Sequence, residues 1–323
     1  MTASSPRTAS RVDVFVAVVS LTVLLAMLLP AVQGARIDAE LTASHDNLRK
    51  IGAGVAAHVA AHGRLPYGTF HDNTQPNGTA DPRFHSFYSG FVAILPYVGE
   101  AKLFDVYDPT LAPNDETDAN RDGWSNKRVT ESRPKIFLSP AMPPPEAPPS
   151  PGWSSYAWSG GNNDKDRENG GNLTGGSGGW HDGAIVNAKQ GPVTIASIAD
   201  GTSHTFLAGD AHYCLTGMVH SDNSKEFAGK PLTGNTVWGR GHYPRGFLST
   251  NTPPNTFASK HSNPNNADWY QQGAFGFRSV HPGGVNFVFC DGSVKFVNDK
   301  IALTVYKALG SRAGGEVLDA DEF

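Results

Sequence analysis

The sequence predicts an α+β protein in which one long N-terminal helix packs on a β-rich globular head with large irregular loops. Three observations carry that expectation. An apolar stripe of helical period runs from Ile37 to Val59, directly after an uncharged apolar segment. Glycine (36 residues) and proline (23) are abundant while apolar residues reach only 39%, a balance that fits a loop-rich β protein better than a helical bundle. Residues 279–297, SVHPGGVNFVFCDGSVKFV, read as two short strands about a turn.

The helix comes first in the chain. Residues 14–35, VFVAVVSLTVLLAMLLPAVQGA, carry no charge. As a helix they span about 33 Å, enough for the hydrocarbon core of a bilayer. Arg7 and Arg11 precede the segment, and Arg36, Asp38 and Glu40 follow it with mixed sign. The positive-inside rule then puts residues 1–11 in the cytoplasm, 12–35 in the membrane and the remainder in the periplasm or outside the cell. A signal peptide cleaved at Gly34 or Ala35 is the alternative. Ile37, Leu41, Leu48, Ile51, Val55 and Val59 continue the helix, and residues 36–62 are expected to pack on the head. One helix over 13–62 results, bent at Pro30 and stopped by Gly63 and Pro66. Gly52 and Gly54 weaken it from within.

Residues 63–323 form the head. FYSGFVAILPYV (87–98) and KLFDVY (102–107) predict a short helix with flanking turns, and GPVTIASIADGTSHTFLAGD (191–210) predicts a β–turn–β unit. Residues 139–153 are Pro-rich and 159–183 are Gly/Asn-rich, both irregular, while IALTVYKAL (301–309) suits a short helix. In the hairpin, Asp291-Gly292 fits a two-residue type I′ turn. That turn pairs Phe289 with Val294 and Phe287 with Phe296, and places all four on one face. Strand length then separates His281 from Asp291 by roughly 20 Å, so the two cannot share a proton. His281 is expected to bond locally, nearer Asp299 and Lys300. Gly283 and Gly284 let the chain enter the strand sharply, and Gly292 takes a left-handed conformation.

The chemistry-bearing residues are sparse. A formal charge of −4 gives no reason to expect nucleic acid as a partner. The twelve histidines show no HExxH and no close His/Cys ligand spacing. DANRDG (118–123) spaces Asp118, Asn120 and Asp122 as calcium ligands, with Gly123 for the sharp turn. The twelfth loop position is Val129, however, and Glu131 comes two residues late, so a calcium site and a solvated acidic loop both stand. No other cofactor is expected. His204 or His212 beside Asp200 and Asp210 are the candidate acid–base pairs of an enzyme. Ser203 and His204 would point to opposite faces of a strand, and no catalytic motif is complete, so an enzyme is not expected. Trp153, Trp158, Trp180, Trp238 and Trp269 are either a platform for a glycan or protein ligand, or core. Cys214 and Cys290 are left to pair or to stay apart.

Taken in order, LLPAVQGAR, DNLRKIG, SIADGTSHTFLAGD, HPGGVNFVFCDGSVKFV and ALGSRAGGEV resemble the DUF1559 proteins. His281 and Asp291-Gly292 match that family's His-x9-Asp-Gly signature. The resemblance implies a type IV pilin-like plan: a protruding membrane helix, a β-rich head and no catalytic activity. It implies the inner membrane, other pilin-like subunits or a secretion and assembly machinery as partners. Aligned on such precursors, the peptidase site falls at Thr8 and Ala9, which lack its residues, so a permanent anchor is expected. The acidic position survives as Asp13, which implies a role in assembly. Many relatives carry a cysteine at the positions of Ser44 and Ser139, as a disulfide pair would.

Overall fold

The computed structural model describes residues 10–70, 87–118, 120–142, 152–162, 181–212, 236–241, 246–257 and 275–318. Within its first helix the side chains of residues 13, 17, 24, 25 and 28–31 lie outside the description. That helix, α1 (Arg11–His62), is a single run of 52 residues, about 78 Å long at 1.5 Å per residue. The expected continuity holds. Pro30 and Asp13 are among the positions whose side chains are not described. Gly63, with φ +71°, ends the helix, its N–H donating to the Val59 carbonyl at 2.8 Å.

The two ends of α1 live in different surroundings. Leu48, Ile51 and Val55 are at most 3% exposed against the head. Val12, Phe15 and Met27 are each about 70% exposed (69%, 69% and 71%), and Leu21, Val23 and Val32 are exposed too. Ile37, expected to pack, is exposed, and contact with the head begins near Leu41. Among the described residues no helix is long and apolar enough to cross a membrane. The expected span at 12–35 contains all the positions with undescribed side chains.

The head is a five-stranded mixed sheet in the order β3-β1-β2-β4-β5. Its strands are β1 (Tyr156–Ser159), β2 (Phe206–Asp210), β3 (Phe247–Leu248), β4 (Gly284–Phe289) and β5 (Val294–Asn298). β1 and β3 run parallel; the other neighbours are antiparallel. Three short helices follow the entry of the chain into the head: α2 (Gly90–Ile94), α3 (Ala101–Asp105) and α4 (Asn126–Glu131). The last, α5 (Leu303–Gly310), closes the far side. On one face of the sheet Trp158, Leu207, Ala208 and Val288 meet α1 and α2 through Leu48, Ile51, Val55, Phe91 and Ile94. On the other Phe206, Phe287, Phe289, Val285 and Val297 pack on Tyr306 and Leu309 of α5. A bulge between Phe206 and Ala208 turns two residues of β2 that strict alternation would put together onto opposite faces.

Two expectations need correction. Residues 191–205 contain no strand; Thr194 and Ser197 form a capping box on a single 3-10 turn instead, and β2 starts only at Phe206. The hairpin is also displaced by one residue. Phe287 faces Lys295, Asn286 faces Phe296 and Val288 faces Val294. The loop is three residues long: Gly292 N–H donates to Phe289 O (2.9 Å), and Phe289 N–H donates to Ser293 O (2.8 Å). Asp291 is not among the residues of positive φ, whereas Gly292 is at +84°. A type I′ turn needs positive φ at both central positions, so this is the three-residue form with glycine at the left-handed site. Asp291 favours it by accepting from Ser293 N (2.8 Å) and Ser293 Oγ (2.6 Å). The shift moves every side chain of β5 to the opposite face. Phe296 therefore leaves the Phe287 side and is 43% exposed.

The hairpin explains Gly52 of α1, and Val98 explains Gly54. A Cβ on Gly52 would lie 2.7 Å from Val288 Cγ2 and 3.5 Å from Gly292 Cα, and one on Gly54 would lie 2.6 Å from Val98 Cγ1. Helix propensity favours alanine over glycine by about 1 kcal/mol, but this contact reverses the preference. Gly52→Ala is expected to lower the stability of the head by about 1–3 kcal/mol through overpacking, measured by urea unfolding. A gain in stability would show that the hairpin tip yields to the helix.

A candidate site at the buried Asp210 carboxylate

The signature histidine is linked through Ser279 to a buried carboxylate, a different one from that in its motif. Asp210 ends β2 with no exposed surface. Its Oδ2 accepts from Ser279 Oγ (2.8 Å), Asn286 N (3.1 Å) and Asn286 Nδ2 (3.0 Å), and its Oδ1 accepts from Ser44 Oγ (3.3 Å). Ser44 Oγ also meets Tyr156 Oη at 3.0 Å, and Asn47 Nδ2 donates to that hydroxyl (3.4 Å) and to Leu138 O (3.0 Å). Burial pushes the Asp210 carboxyl up, against the opposing pull of the His281 charge and of the Ser279 and Asn286 hydrogen bonds. Helix α1, strands β1, β2 and β4 and the loop before β4 thus meet at one acid.

His281 itself is 5% exposed, with its backbone N–H donating to Ser279 Oγ (3.2 Å). Among the described residues its Nε2 has no hydrogen-bond partner. Asp291 is exposed at the hairpin tip and engaged with Ser293. The two signature residues are not bonded to each other, as strand length requires. Asp291 closes the turn while its neighbours are tied to β2's approach: Cys290 N–H donates to Thr205 O (3.0 Å) and Asp291 N–H to Thr202 O (3.1 Å). Gly283 has φ +84°, and its carbonyl accepts from Asp299 N (2.9 Å), so the Pro-Gly-Gly turn is pinned to the end of β5. Asn255 braces the same corner, accepting from Ser279 N (2.9 Å) and donating to Gly284 O and Asp299 Oδ2 (3.2 Å each).

The other candidate pairs separate. Asp200 accepts from Ser311 Oγ (3.0 Å), Gly314 N (2.7 Å) and Gly315 N (2.9 Å), which fastens the C-terminal segment to the head. Ser203 Oγ lies 3.1 Å from His204 Nδ1 because residues 203–204 sit in a turn, not in the strand expected for them. Among the described residues neither Asp200 nor Asp210 hydrogen-bonds to a histidine. Trp158 and Trp238 have no exposed surface, and Trp153 is 7% exposed under the Arg133 guanidinium at 3.6 Å. These three are core rather than platform; Trp180 and Trp269 lie outside the described residues. So does Cys214, the proposed partner of Cys290, whose thiol burial pushes up. In the calcium-like loop the Asp118 carboxylate accepts from Asp122 N (3.1 Å) and Gly123 N (2.8 Å), and Asp122 Oδ1 accepts from Trp124 N (2.9 Å). Asn120 is exposed, Val129 is buried in the core, and among the described residues no three His, Cys, Asp or Glu side chains cluster as a metal site.

Ser44, Asn47, Tyr156, Ser279 and Asn286 were not anticipated as a group. One signal was available. Ser44 falls between Leu41 and Leu48 at steps of three and four, a polar residue on the apolar stripe. Ser44 (0% exposed) and Ser139 (3%) both lie beside the Tyr156 hydroxyl, as positions of a cysteine pair should. Ser44→Cys with Ser139→Cys is therefore expected to form a disulfide under oxidising conditions and to stabilise the head by about 2–4 kcal/mol. Two free thiols in the oxidised double variant, counted by mass after alkylation, would refute the pairing.

Another buried histidine, His181, is expected to make the head acid-sensitive. His181 stacks on Phe247 (centroids 5.0 Å apart, planes at 3°), and burial pushes its pKa from 6.5 down to about 4, helped by the Arg312 charge. The unfolded chain takes up this proton near 6.5 and the folded chain only near 4. The stabilisation is thus complete above pH 6.5 and is lost as pH falls towards 4, by at most about 3 kcal/mol. His181→Phe keeps a ring on Phe247 and removes the titration. Its stability should fall less than that of the parent between pH 7 and 4, and an unchanged loss would assign the acid sensitivity to other groups.

Comparison with known proteins adds a family and nothing closer. A family model described as a protein of unknown function, DUF1559, matches residues 33–304. No curated protein and no solved structure matches the chain. The match runs from α1 to the first residues of α5 and takes in the Asp210 site and the signature hairpin: the chain belongs to the DUF1559 family.

Proposed function

We propose that this protein is a membrane-anchored structural or surface protein of pilin-like plan, without catalytic activity, whose head lies outside the cytoplasm. The observation that carries this reading is the division of α1. From Leu41 onward the helix is seated on the sheet, whereas from Val12 to Ile37 the large apolar side chains among the described residues are exposed. Burying one such side chain is worth about 1.5–3 kcal/mol, so leaving this row in water forgoes on the order of 10 kcal/mol or more. A bilayer, or a bundle of like helices within one, supplies the cover. Arg7 and Arg11 before the segment orient it with the N-terminus inside. Asp13 would then want a cationic partner such as Arg11 or a neighbouring subunit.

The head is consistent with a scaffold rather than a catalyst: its Asp210 site is fully buried, and the hydrogen bonds there knit five segments together. The full chain, produced in a bacterium, is expected to stay in the membrane pellet through an alkaline carbonate wash. Protease added outside spheroplasts should degrade the head and leave a short N-terminal fragment. Release into the carbonate supernatant would refute the anchor, and a head protected from external protease would refute the orientation.

A further inference from the structure

At the end of α1 farthest from the exposed apolar segment, two histidines stand one helical turn apart. His58 and His62 have ring centroids 4.4 Å apart, the spacing of i,i+4 neighbours on one helix face. His58 is 5% exposed. Its Nδ1 lies 3.2 Å from the Arg64 carbonyl. A carbonyl only accepts, so Nδ1 carries the proton and Nε2 presents a lone pair. Both imidazoles line a recess of about 140 Å³ whose remaining walls include Tyr67, Phe70 and Tyr88.

We infer that His58 and His62 form a two-imidazole binding site for a divalent transition metal of the copper, nickel or zinc type. A metal-binding histidine usually donates its second ring N–H to a carbonyl or carboxylate, which fixes the tautomer, and His58 has that arrangement without any metal. His62 is the last residue of α1, where the free carbonyls of the helix end favour a cation. The Tyr97 hydroxyl, 3.4 Å from His62 Nε2, adds an oxygen donor beside the pair. Arg64 also lines the recess, with its guanidinium over the Tyr67 ring at 4.1 Å. Its charge opposes any cation held by electrostatics alone. That selects ions bound through nitrogen coordination over calcium or magnesium, which need several oxygen donors. Two protein nitrogens leave coordination positions for water or for a donor from another molecule.

The test uses the full chain in detergent, stripped with chelator and titrated with Cu²⁺ and separately with Zn²⁺. One saturable site is expected for each, and the Cu²⁺ form should show nitrogen hyperfine structure from two imidazoles in electron paramagnetic resonance. His62→Gln, at an exposed position, and His58→Gln should each weaken binding by at least the roughly tenfold that loss of an outer-shell partner alone costs. His45→Gln, whose ring lies on the Val294 carbonyl elsewhere in the molecule, should leave it unchanged. Absence of a saturable site for both ions, or unaltered Cu²⁺ affinity in His62→Gln, would overturn the assignment. If His58→Gln does not fold, His62→Gln decides alone.

Discussion

The head depends on the seat that α1 takes on the sheet. Leu48, Ile51 and Val55 are buried there almost completely. At about 1.5–3 kcal/mol each they contribute roughly 5–9 kcal/mol, comparable with the net stability of a whole domain. That seat requires close approach, which is why α1 carries glycine at position 52, against the hairpin tip, and at position 54, against Val98. Two weak helix formers in a long helix look like a defect along the sequence. They are contact points.

A polar contact sets where along the helix the seat lies. An apolar stripe can slide by a turn and still be apolar, but Ser44 reaches both Asp210 and the Tyr156 hydroxyl at only one position. A buried carboxylate is costly, and its hydrogen bonds return only part of that cost. Its use here is registry: Asp210 gathers donors from α1, from β4 and from the loop carrying Ser279 and His281. Removing any one would leave the others around an under-satisfied acid, which penalises alternative packings more than it rewards the native one.

This division explains what was legible in the sequence. The helix, its end at Gly63, short helical structure within residues 87–107 and the closing α5 follow from local pattern and from Gly and Pro punctuation, and the structure has them where the pattern puts them, whereas α4 was not foreseen. The hairpin was legible as a hairpin, but its register was not. Asp-Gly serves two turn types, and the choice rests on Asp291 bonding to Ser293 and on the tip being tied to Thr202 and Thr205, a loop about ninety residues away. The Asp210 site was least legible because its donors come from Ser44, Ser279 and Asn286, and only folding brings them together. Strand length correctly separated His281 from Asp291; nothing local could name Asp210 as the carboxylate to which Ser279 links it.

The signature therefore joins two jobs that sequence proximity makes look like one. Asp291 and Gly292 shape a turn, and the turn carries Val288 and Gly292 to within contact of Gly52. His281 and the Pro-Gly-Gly that follows bring the chain into β4 so that Asn286 arrives at Asp210. One end of the hairpin is pressed against α1 by apolar contact, and the other is tied through Asp210 to Ser44 on the same helix. The spacing between His281 and Asp291 is the length of β4 needed to span those two anchor points. A residue inserted into that strand would satisfy one anchor only by abandoning the other, which makes the interval a structural constant of the head.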